Sequence, residues 1–263
     1  MVVLAMEAIK RKLWNRLLGE DSWIGRYGTF RDRERFGLIS RPNYIYGMLR
    51  AADCAKYFGK TRVTAIEFGV ASGAGLLNMA DVAQLIQAET GVEFRIVGFD
   101  TGRGLPQVQG YRDHPEIWNP GDFAMEDRDA LSRKLAGRAE IIWGDIADTV
   151  DAFTSAIDPE APVGFVSIDV DIYSATKSAL RCLTGRPEQY LPAVSMYFDD
   201  VGFFLRTNGV ENSRRSPNST SSTKCERLEA IEAYLATGPK RRTAGTLRCM
   251  SATSWITRRA KKR

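Results

Sequence analysis

The stretch VTAIEFGVASGAGLLNMADVAQLIQAET, residues 63–90, decides the fold class of this 263-residue chain. Residues 63–70 are an apolar run of strand length, and residues 75–90 have the length and composition of a helix. Three glycines lie between these two parts: Gly69, Gly73 and Gly75. A buried strand, a glycine-rich turn and a helix in this order favour an α/β domain.

The same alternation continues along the chain. Further strands are predicted at 94–100, 139–145, 163–169, 193–200, 246–250 and 252–258. Further helices are predicted at 44–58, 147–157, 174–183 and 225–237. Near-continuous apolar strands that alternate with helices predict a mostly parallel, Rossmann-like sheet with helices on both faces.

The pattern divides the chain into an N-terminal helical segment (1–60), an α/β domain (61–258) and a basic tail (259–263). The first segment carries an apolar stripe made of Leu13, Trp14, Leu17 and Leu18. We expect this stripe to pack on the domain or on a second subunit in a homodimer. A helix on a membrane surface is the alternative.

Composition argues against several classes of protein. Hydrophobic residues make up 44% of the chain and charged residues 26%, as in ordinary globular domains. No apolar stretch is long enough for membrane insertion, and no signal-peptide cleavage site is present. Four widely spaced cysteines and one histidine do not suit a zinc site, so we expect a cytoplasmic protein with reduced thiols. The net charge of +5 comes from the last six residues, RRAKKR, which gives no reason to expect a nucleic-acid partner.

Acidic residues lie at or near the carboxyl ends of most of the predicted strands. They are Glu67, Asp100, Asp145, Asp169, Asp171, Asp199 and Asp200. In parallel sheets, ligands bind where the carboxyl ends of the strands meet. We therefore expect these acids to converge on one ligand site. Their alternative role is to cap the helices that follow.

Glu67 and the three glycines give the clearest chemical signal. Their spacing is GxxxGxG, which differs from the GxGxxG of dinucleotide sites. Glycines let a ligand approach the backbone closely, and the start of the next helix offers free N–H groups. A carboxylate beside that turn repels a phosphate and attracts an ammonium or sulfonium group, which favours an aminoacyl cofactor such as S-adenosylmethionine. A purely structural tight turn is the alternative.

The acids at the ends of the other strands suggest further contacts. Asp100 is placed to accept the ribose hydroxyls of an adenosine, and Asp145 is placed to face its adenine. Asp169, Asp199 and Asp200 would converge if their strands are neighbours. Clustered carboxylates repel one another unless a cation lies between them or one of them stays protonated. Oxygen ligands suit Mg²⁺, which would lower the pKa of a substrate hydroxyl.

Two segments interrupt the alternation. Residues 101–128 form a long loop, rich in glycine and proline, at the ligand edge, and we predict that it acts as a lid. Residues 207–224 are polar, which predicts a flexible loop. The first loop holds His114, the single histidine, which is a candidate general base because histidine ordinarily titrates near neutrality. A loop histidine with a local hydrogen bond is the alternative, and Lys177 is a weaker candidate base.

Several of these motifs together resemble one enzyme family. They are EFGVASGAG (67–75), GFDTGRGLP (98–106), the Gly144–Asp145 pair, IDVDIYSAT (168–176), YFDD (197–200) and CERLEAIEAY (225–234). In combination they are similar to the macrocin-type O-methyltransferases, class I S-adenosylmethionine-dependent enzymes that methylate sugar hydroxyls and use Mg²⁺. The resemblance covers most of residues 41–235.

The resemblance implies a seven-stranded sheet whose last strand is antiparallel. The cofactor-binding residues that it implies are Glu67, Gly69, Ser72, Gly73 and Gly75 for the methionine part, Asp100 and Thr101 for the ribose, and Gly144 and Asp145 for the adenine. The implied metal ligands are Asp169, Asp199 and Asp200. Asp169 resembles the metal aspartate of catechol O-methyltransferase and would also lie beside the cofactor as a catalytic residue.

These features predict an O-methyltransferase that uses S-adenosylmethionine and Mg²⁺ to methylate a hydroxyl of a sugar or another polyhydroxylated small molecule. One rival is a nucleotide-sugar glycosyltransferase, because Asp169 and Asp171 form a DxD pattern. The other rival is a non-catalytic relative that binds the cofactor.

Overall fold

The computed structural model describes the backbone of residues 20–199 and 248–251 and the side chains of residues 23–199. Several predicted features lie outside these described residues. They are the apolar stripe at 13–18, Asp200, the loop 207–224, the helix 225–237, the strand 252–258 and the basic tail.

Helices and strands alternate through the described chain. The strands are β1 (Arg62–Phe68), β2 (Glu93–Asp100), β3 (Glu140–Trp143), β4 (Val163–Ile168), β5 (Tyr190–Phe198) and β6 (Arg248–Ser251). The helices are α1 (Glu20–Tyr27), α2 (Phe30–Arg35), α3 (Pro42–Tyr57), α4 (Ala74–Thr90), α5 (Arg128–Leu135), α6 (Ile146–Ser155) and α7 (Tyr173–Ala179). The strands and helices predicted within the described residues are confirmed, with ends that shift by a few residues.

The described strands form one six-stranded sheet in the order β3-β2-β1-β4-β5-β6. Every neighbouring pair runs parallel. The α/β class and the parallel sheet are therefore confirmed. Seven strands are not found in the described residues, since the antiparallel last strand was expected at 252–258. The strand order reverses at β1 and β4, and such a reversal opens a crevice at the carboxyl ends of the two strands.

Alternate side chains of β1 face the two helical layers of the core. Val63 and Ala65 belong to the apolar cluster that α3 and α4 cover, whereas Ile66 and Phe68 belong to the cluster that α6 covers. Side chains alternate between the faces of a strand, so Glu67 lies on the face of Ala65, under α3. The two-residue repeat of the strand thus places the carboxylate of Glu67 beneath α3, a helix that comes before the sheet in the sequence.

Helix α3 lies close against β4. A Cβ atom at Gly47 would lie 2.2 Å from Cε2 of Phe165, so this contact needs a glycine. One turn earlier, the ring of Tyr44 packs edge-on against Phe165 with 6.0 Å between the ring centroids. These contacts hold the first turn of α3 at the carboxyl end of the sheet.

Helix α5 was not predicted, and it shortens the long loop to residues 101–127. The helix is capped by Asp127, whose side chain accepts a hydrogen bond of 2.8 Å from the backbone N–H of Ala130. Its apolar side is short, because Leu131 and Leu135 are its buried residues. Two leucines give a weak helical period, whereas the capping aspartate was a usable signal.

Within the part of the chain that the structure describes, no helix has both the length and the apolar character needed to cross a bilayer.

Candidate cofactor site

A cavity of about 260 Å³ opens at the carboxyl ends of β1, β2 and β4, and we call it the site cavity. The predicted site residues that line it are Glu67, Gly69, Ser72, Gly75, Asp100, Thr101, Asp145 and Asp169. The long loop contributes further lining residues, among them Leu105, Pro106, Asp122 and Phe123. The strand ends therefore bring together most of the residues predicted for a cofactor.

Glu67 is the most unusual residue of this cavity. Its side chain is 2% exposed, and its Oε1 accepts a hydrogen bond of 2.9 Å from the hydroxyl of Tyr44. Its Oε2 has no hydrogen-bond partner among the described residues. An unsatisfied buried carboxylate oxygen is costly, so its presence in a cavity points to a ligand that supplies a donor.

The electrostatics of Glu67 favour a cationic ligand. Burial raises the pKa of its carboxyl to about 8, and the nearby carboxylates of Asp169 and Asp100 add to the rise. The hydrogen bond from Tyr44 and the charge of Arg41 act in the opposite direction and lower that pKa. A ligand ammonium would favour the ionised form and provide the missing hydrogen bond.

The three glycines of the β1–α4 turn serve different contacts. A Cβ atom at Gly75 would lie 1.9 Å from Oε1 of Glu67, and one at Gly69 would lie 1.8 Å from the carbonyl oxygen of Asp169. Gly73 does not line the site cavity, and a Cβ there would lie 2.2 Å from Cδ1 of Leu131 in α5. Contacts within the protein thus account for glycine at each position. This agrees with the alternative that the three glycines serve a structural tight turn.

Asp100 organises the backbone around the cavity. Its Oδ2 accepts hydrogen bonds from the N–H groups of Val70, at 2.9 Å, and Ala71, at 2.8 Å. Its Oδ1 accepts one from Gly102 at 2.5 Å. A carboxylate has about four acceptor positions, so these three bonds leave little capacity for ribose hydroxyls. The contact between Asp100 and the ribose stays a prediction.

Asp145 and Thr101 also make local hydrogen bonds. Asp145 caps α6, because its Oδ1 accepts a bond of 2.8 Å from the N–H of Ala147. The hydroxyl of Thr101 donates to the carbonyl of Gly104 at 2.7 Å and shapes the start of the long loop. Gly144 lines a neighbouring cavity beside Trp143 rather than the site cavity. The predicted adenine and ribose contacts of these residues remain predictions.

The predicted metal ligands lie on neighbouring strand ends. Asp169 and Asp199 each come directly after a register pair, Ile168 of β4 with Phe198 of β5. Asp199 is exposed, does not line the site cavity and accepts a hydrogen bond from the hydroxyl of Tyr197. Asp200 lies outside the described residues. Residues 20–199 and 248–251 contain no group of three His, Cys, Asp or Glu side chains arranged to hold a metal ion.

Asp171 also lines the site cavity, although strict alternation along a strand would place it on the face opposite to Asp169. Strand β4 ends at Ile168, and Asp171 has a left-handed backbone with φ of 59°. Alternation no longer applies beyond the end of the strand, so Asp171 and Asp169 both line the site cavity. Aspartate tolerates this backbone region better than most residues.

His114 is not among the described residues that line the site cavity. Its Nδ1 is 2.8 Å from a carboxylate oxygen of Glu116, which is the local contact that the alternative interpretation expected. Lys177, on α7, is exposed and does not line the cavity either. The geometry of the described residues therefore lends no support to either residue as the general base.

Sequence reasoning missed Asp113, which anchors the long loop. Its side chain is 2% exposed and accepts hydrogen bonds of 2.7 Å from the N–H groups of Gln109 and Ser174. The second bond joins the loop to the first turn of α7. In addition, the guanidinium of Arg112 donates to the hydroxyl of Tyr173 at 3.1 Å.

Arg41 is the second residue that was missed. It immediately precedes α3 and lines the site cavity. Among the described lining residues it is the only cation, beside six carboxylates: Glu67, Asp100, Asp122, Asp145, Asp169 and Asp171. It lies 26 positions before Glu67 in the sequence, so only folding shows that the two share a cavity.

Comparisons with known proteins add little to this geometry. No family model matches the chain, and no curated protein matches it. Among solved structures, the chain is similar to the crystal structure of CalS11, a calicheamicin methyltransferase, with a TM-score of 0.45, 18% identity, and coverage of 84% of this chain and 87% of that one. It is also similar to the apo structure of CalS11, described as a TDP-rhamnose 3'-O-methyltransferase of calicheamicin biosynthesis, with a TM-score of 0.34, 17% identity, and coverage of 77% and 88%. Both scores lie below 0.5, so the proposals that follow rest on the site.

Proposed function

We propose that this chain is an S-adenosylmethionine-dependent O-methyltransferase that acts on a hydroxyl of a small molecule, a sugar or another polyhydroxylated metabolite. The observation that carries the proposal is the carboxylate of Glu67. It is buried in a cavity at the switch point of a parallel sheet, and one of its oxygens has no partner among the described residues. S-adenosylmethionine would supply the ammonium of its amino-acid part to that oxygen and its sulfonium to an acidic cavity.

The charge of the cavity supports this ligand over a phosphate ligand. Six carboxylates and one guanidinium belong to the described lining residues. A dinucleotide or a sugar diphosphate would bring two or more negative charges into that surrounding, at a Coulombic cost. The acidic lining therefore disfavours an NAD-dependent enzyme, and it disfavours the rival glycosyltransferase unless a divalent cation lies between the carboxylates and the diphosphate.

In the proposed reaction, a substrate hydroxyl oxygen attacks the methyl group. The new bond joins that oxygen to the methyl carbon, the bond from the carbon to sulfur breaks, and its electron pair stays on sulfur. The hydroxyl proton passes to a base. Glu67 would orient the cofactor through its ammonium, and the carboxylates of Asp169 and Asp171, which line the same cavity, would be available to the substrate hydroxyl. Holding both reactants in line is the main source of rate in such a transfer.

A magnesium ion is part of the proposal. Asp169, Asp199 and Asp200 would hold it, and such an ion would lower the pKa of the substrate hydroxyl. Carboxylate oxygens are the ligands that Mg²⁺ prefers, and Asp169 and Asp199 each follow one member of the register pair Ile168–Phe198, which supports this part of the proposal. Tyr197, whose own pKa is raised by burial and by its bond to Asp199, occupies one acceptor position of that carboxylate.

The first test is calorimetric titration of S-adenosylmethionine into the wild type and into Glu67→Gln. Glutamine keeps an acceptor for Tyr44 and the size of the side chain but loses the charge. We expect binding to weaken by about tenfold to hundredfold, the value of a charge-assisted hydrogen bond. The matched control is Glu160→Gln, whose exposed carboxylate pairs with Lys60 away from the cavity and whose loss leaves binding unchanged.

The proposal fails if the wild type does not bind S-adenosylmethionine. In that case a nucleotide sugar with Mn²⁺ would be titrated next, because the DxD pattern of Asp169 and Asp171 is the feature that the glycosyltransferase rival needs. If the wild type binds the cofactor tightly but shows no affinity for Mg²⁺ and methylates no hydroxyl acceptor, the non-catalytic rival is favoured.

A further inference from the structure

Arg41 lines the site cavity but has no role in the proposed reaction. It precedes α3 with φ of 48° and ψ of 58°, a left-handed backbone that few non-glycine residues adopt. Pro42, the first residue of α3, disfavours a right-handed helical backbone at the residue before it. The side chain of Arg41 lines the site cavity from the edge of α3.

Arg41 lies at the same end of the cavity as Glu67. Its guanidinium carbon is 5.4 Å from the centroid of the Tyr44 ring, and the hydroxyl of Tyr44 donates to Oε1 of Glu67. The positive charge of Arg41 lowers the pKa of Glu67, which reflects the same proximity. Tyr44 therefore lies between a guanidinium and a buried carboxyl whose second oxygen has no partner among the described residues.

The guanidinium of Arg41 forms no ion pair with any described residue. A second cation, Arg128, already has contacts within the protein. Arg128 lines the neighbouring cavity, donates to the carbonyl of Thr101 at 2.7 Å, and lies over the ring of Trp143 at 4.8 Å. Of these two cations, Arg41 is thus the one available to a ligand in the site cavity.

We propose that Arg41 binds the carboxylate of the cofactor's aminoacyl group while Glu67 binds its ammonium. A zwitterionic amino acid carries these two charges on adjacent groups, and Arg41 and Glu67 present the two opposite charges on either side of Tyr44. The planar guanidinium matches a carboxylate in two parallel hydrogen bonds, and stacking on an aromatic ring limits its freedom before binding. This inference rests on the proposed function. It adds that the site recognises the carboxylate of the cofactor as well as its ammonium.

The inference distinguishes two ligands. Decarboxylated S-adenosylmethionine keeps the adenosine, the sulfonium and the ammonium but lacks the carboxylate that Arg41 would bind. We expect the wild type to bind S-adenosylmethionine at least tenfold more tightly than the decarboxylated ligand. In Arg41→Gln this preference disappears, because only the affinity for the carboxylate-bearing ligand falls.

The experiment titrates both ligands into the wild type, Arg41→Gln, Arg41→Lys and Arg50→Gln. Lysine keeps the charge and is expected to retain part of the preference. Arg50 is the matched control, since it belongs to α3, the helix that Arg41 precedes, and lies over the ring of Tyr46 at 5.2 Å but does not line the site cavity. Thermal melting of each variant verifies that it is folded.

The proposal is wrong if Arg41→Gln weakens both ligands equally, or neither, because the affinity would then not depend on a contact with the carboxylate. In that outcome the N-terminus of α4 is the remaining candidate to bind the carboxylate, and the proposed function stands. If the wild type binds neither ligand, the proposed function fails and this inference fails with it, a result that the wild type alone reveals.

Discussion

At the scale of single residues, Glu67 is the clearest conflict between folding and function. A carboxyl that is 2% exposed, near Asp169 and Asp100, gains little from the fold, since one oxygen is satisfied by Tyr44 and the other by no described residue. Ordinary cores avoid such groups, and sites that bind ions or ligands retain them. The structure even makes room for this one, because Gly75 has no side chain to collide with it.

Gly47 allows a residue-scale prediction about stability. Alanine favours a helix over glycine by about 1 kcal/mol, but its Cβ at this position would lie 2.2 Å from the buried ring of Phe165. We expect the clash to dominate, so that Gly47→Ala lowers the free energy of unfolding by about 1–3 kcal/mol in denaturant titrations.

The control for that prediction is a second helical glycine. At Gly25 in α1 the nearest atom to an added Cβ is Cδ1 of Leu38, at 3.9 Å, which is an ordinary contact. Gly25→Ala should therefore leave stability unchanged or raise it. Equal effects of the two substitutions would show that the contact between α3 and β4 does not limit packing.

At the scale of elements, the long loop after β2 forms part of the wall of the site cavity. It supplies lining residues such as Leu105 and Phe123, and Asp113 joins it to the first turn of α7. The loop is therefore joined to α7, and Asp169 and Asp171 lie between the end of β4 and the start of that helix. The proposed methyl donor and acceptor would meet beneath it.

Asp113→Asn tests this anchoring. Asparagine retains one acceptor oxygen for two backbone donors, Gln109 and Ser174, and turns a donor towards the second. We expect faster amide hydrogen exchange across residues 104–124, with little change in β1 or β2. Asp129→Asn, at an exposed position of α5, is the control. Unchanged exchange in Asp113→Asn would mean that the loop is held by other contacts.

Helix α3 has a similar role on the opposite side of the cavity. Its apolar residues belong to the core beneath it, and its first turn brings Tyr44 and Arg41 to the carboxyl ends of the strands. The packing of the apolar stripe at 13–18 on the domain or on a second subunit stays a prediction, because that stripe lies outside the described residues. The described part of the N-terminal segment contributes Arg41 to the cavity.

At the scale of the whole molecule, Glu67 should make stability depend on pH. Its pKa is raised from 4.5 to about 8 in the folded protein, so between these values the folded state binds more protons than the unfolded state. The free energy of unfolding should then fall as the pH rises from about 4.5 to about 8, by up to about 1.4 kcal/mol per pH unit.

The measurement is urea unfolding of the wild type and Glu67→Gln at several pH values between 5 and 8. The variant cannot ionise at this position, so its stability should vary less with pH than that of the wild type. Parallel pH profiles of the two proteins would contradict the prediction, since other groups would then account for the whole dependence.

Much of the fold was predictable because it depends on the pattern of apolar residues along short segments. The continuous apolar run 163–168 predicts a buried strand, and the longer segment 75–90 predicts a helix. Helix α5 was missed, since two buried leucines give too short a pattern. His114 illustrates a different limit, because residue type indicates a possible chemistry, whereas packing decides which cavity a side chain lines. Its role as a general base stays a prediction.

The sequence by itself determined the α/β class, the parallel strands and the acids at the strand ends, since all three follow from the order of residues along single elements. Only the tertiary structure decided which charges meet. It placed Arg41 and Tyr44 beside Glu67, brought Asp171 into the cavity beyond the end of β4, and set His114 against Glu116. The physical reason is that such contacts join distant segments, and only the packing of α3 and the long loop onto the sheet fixes their positions.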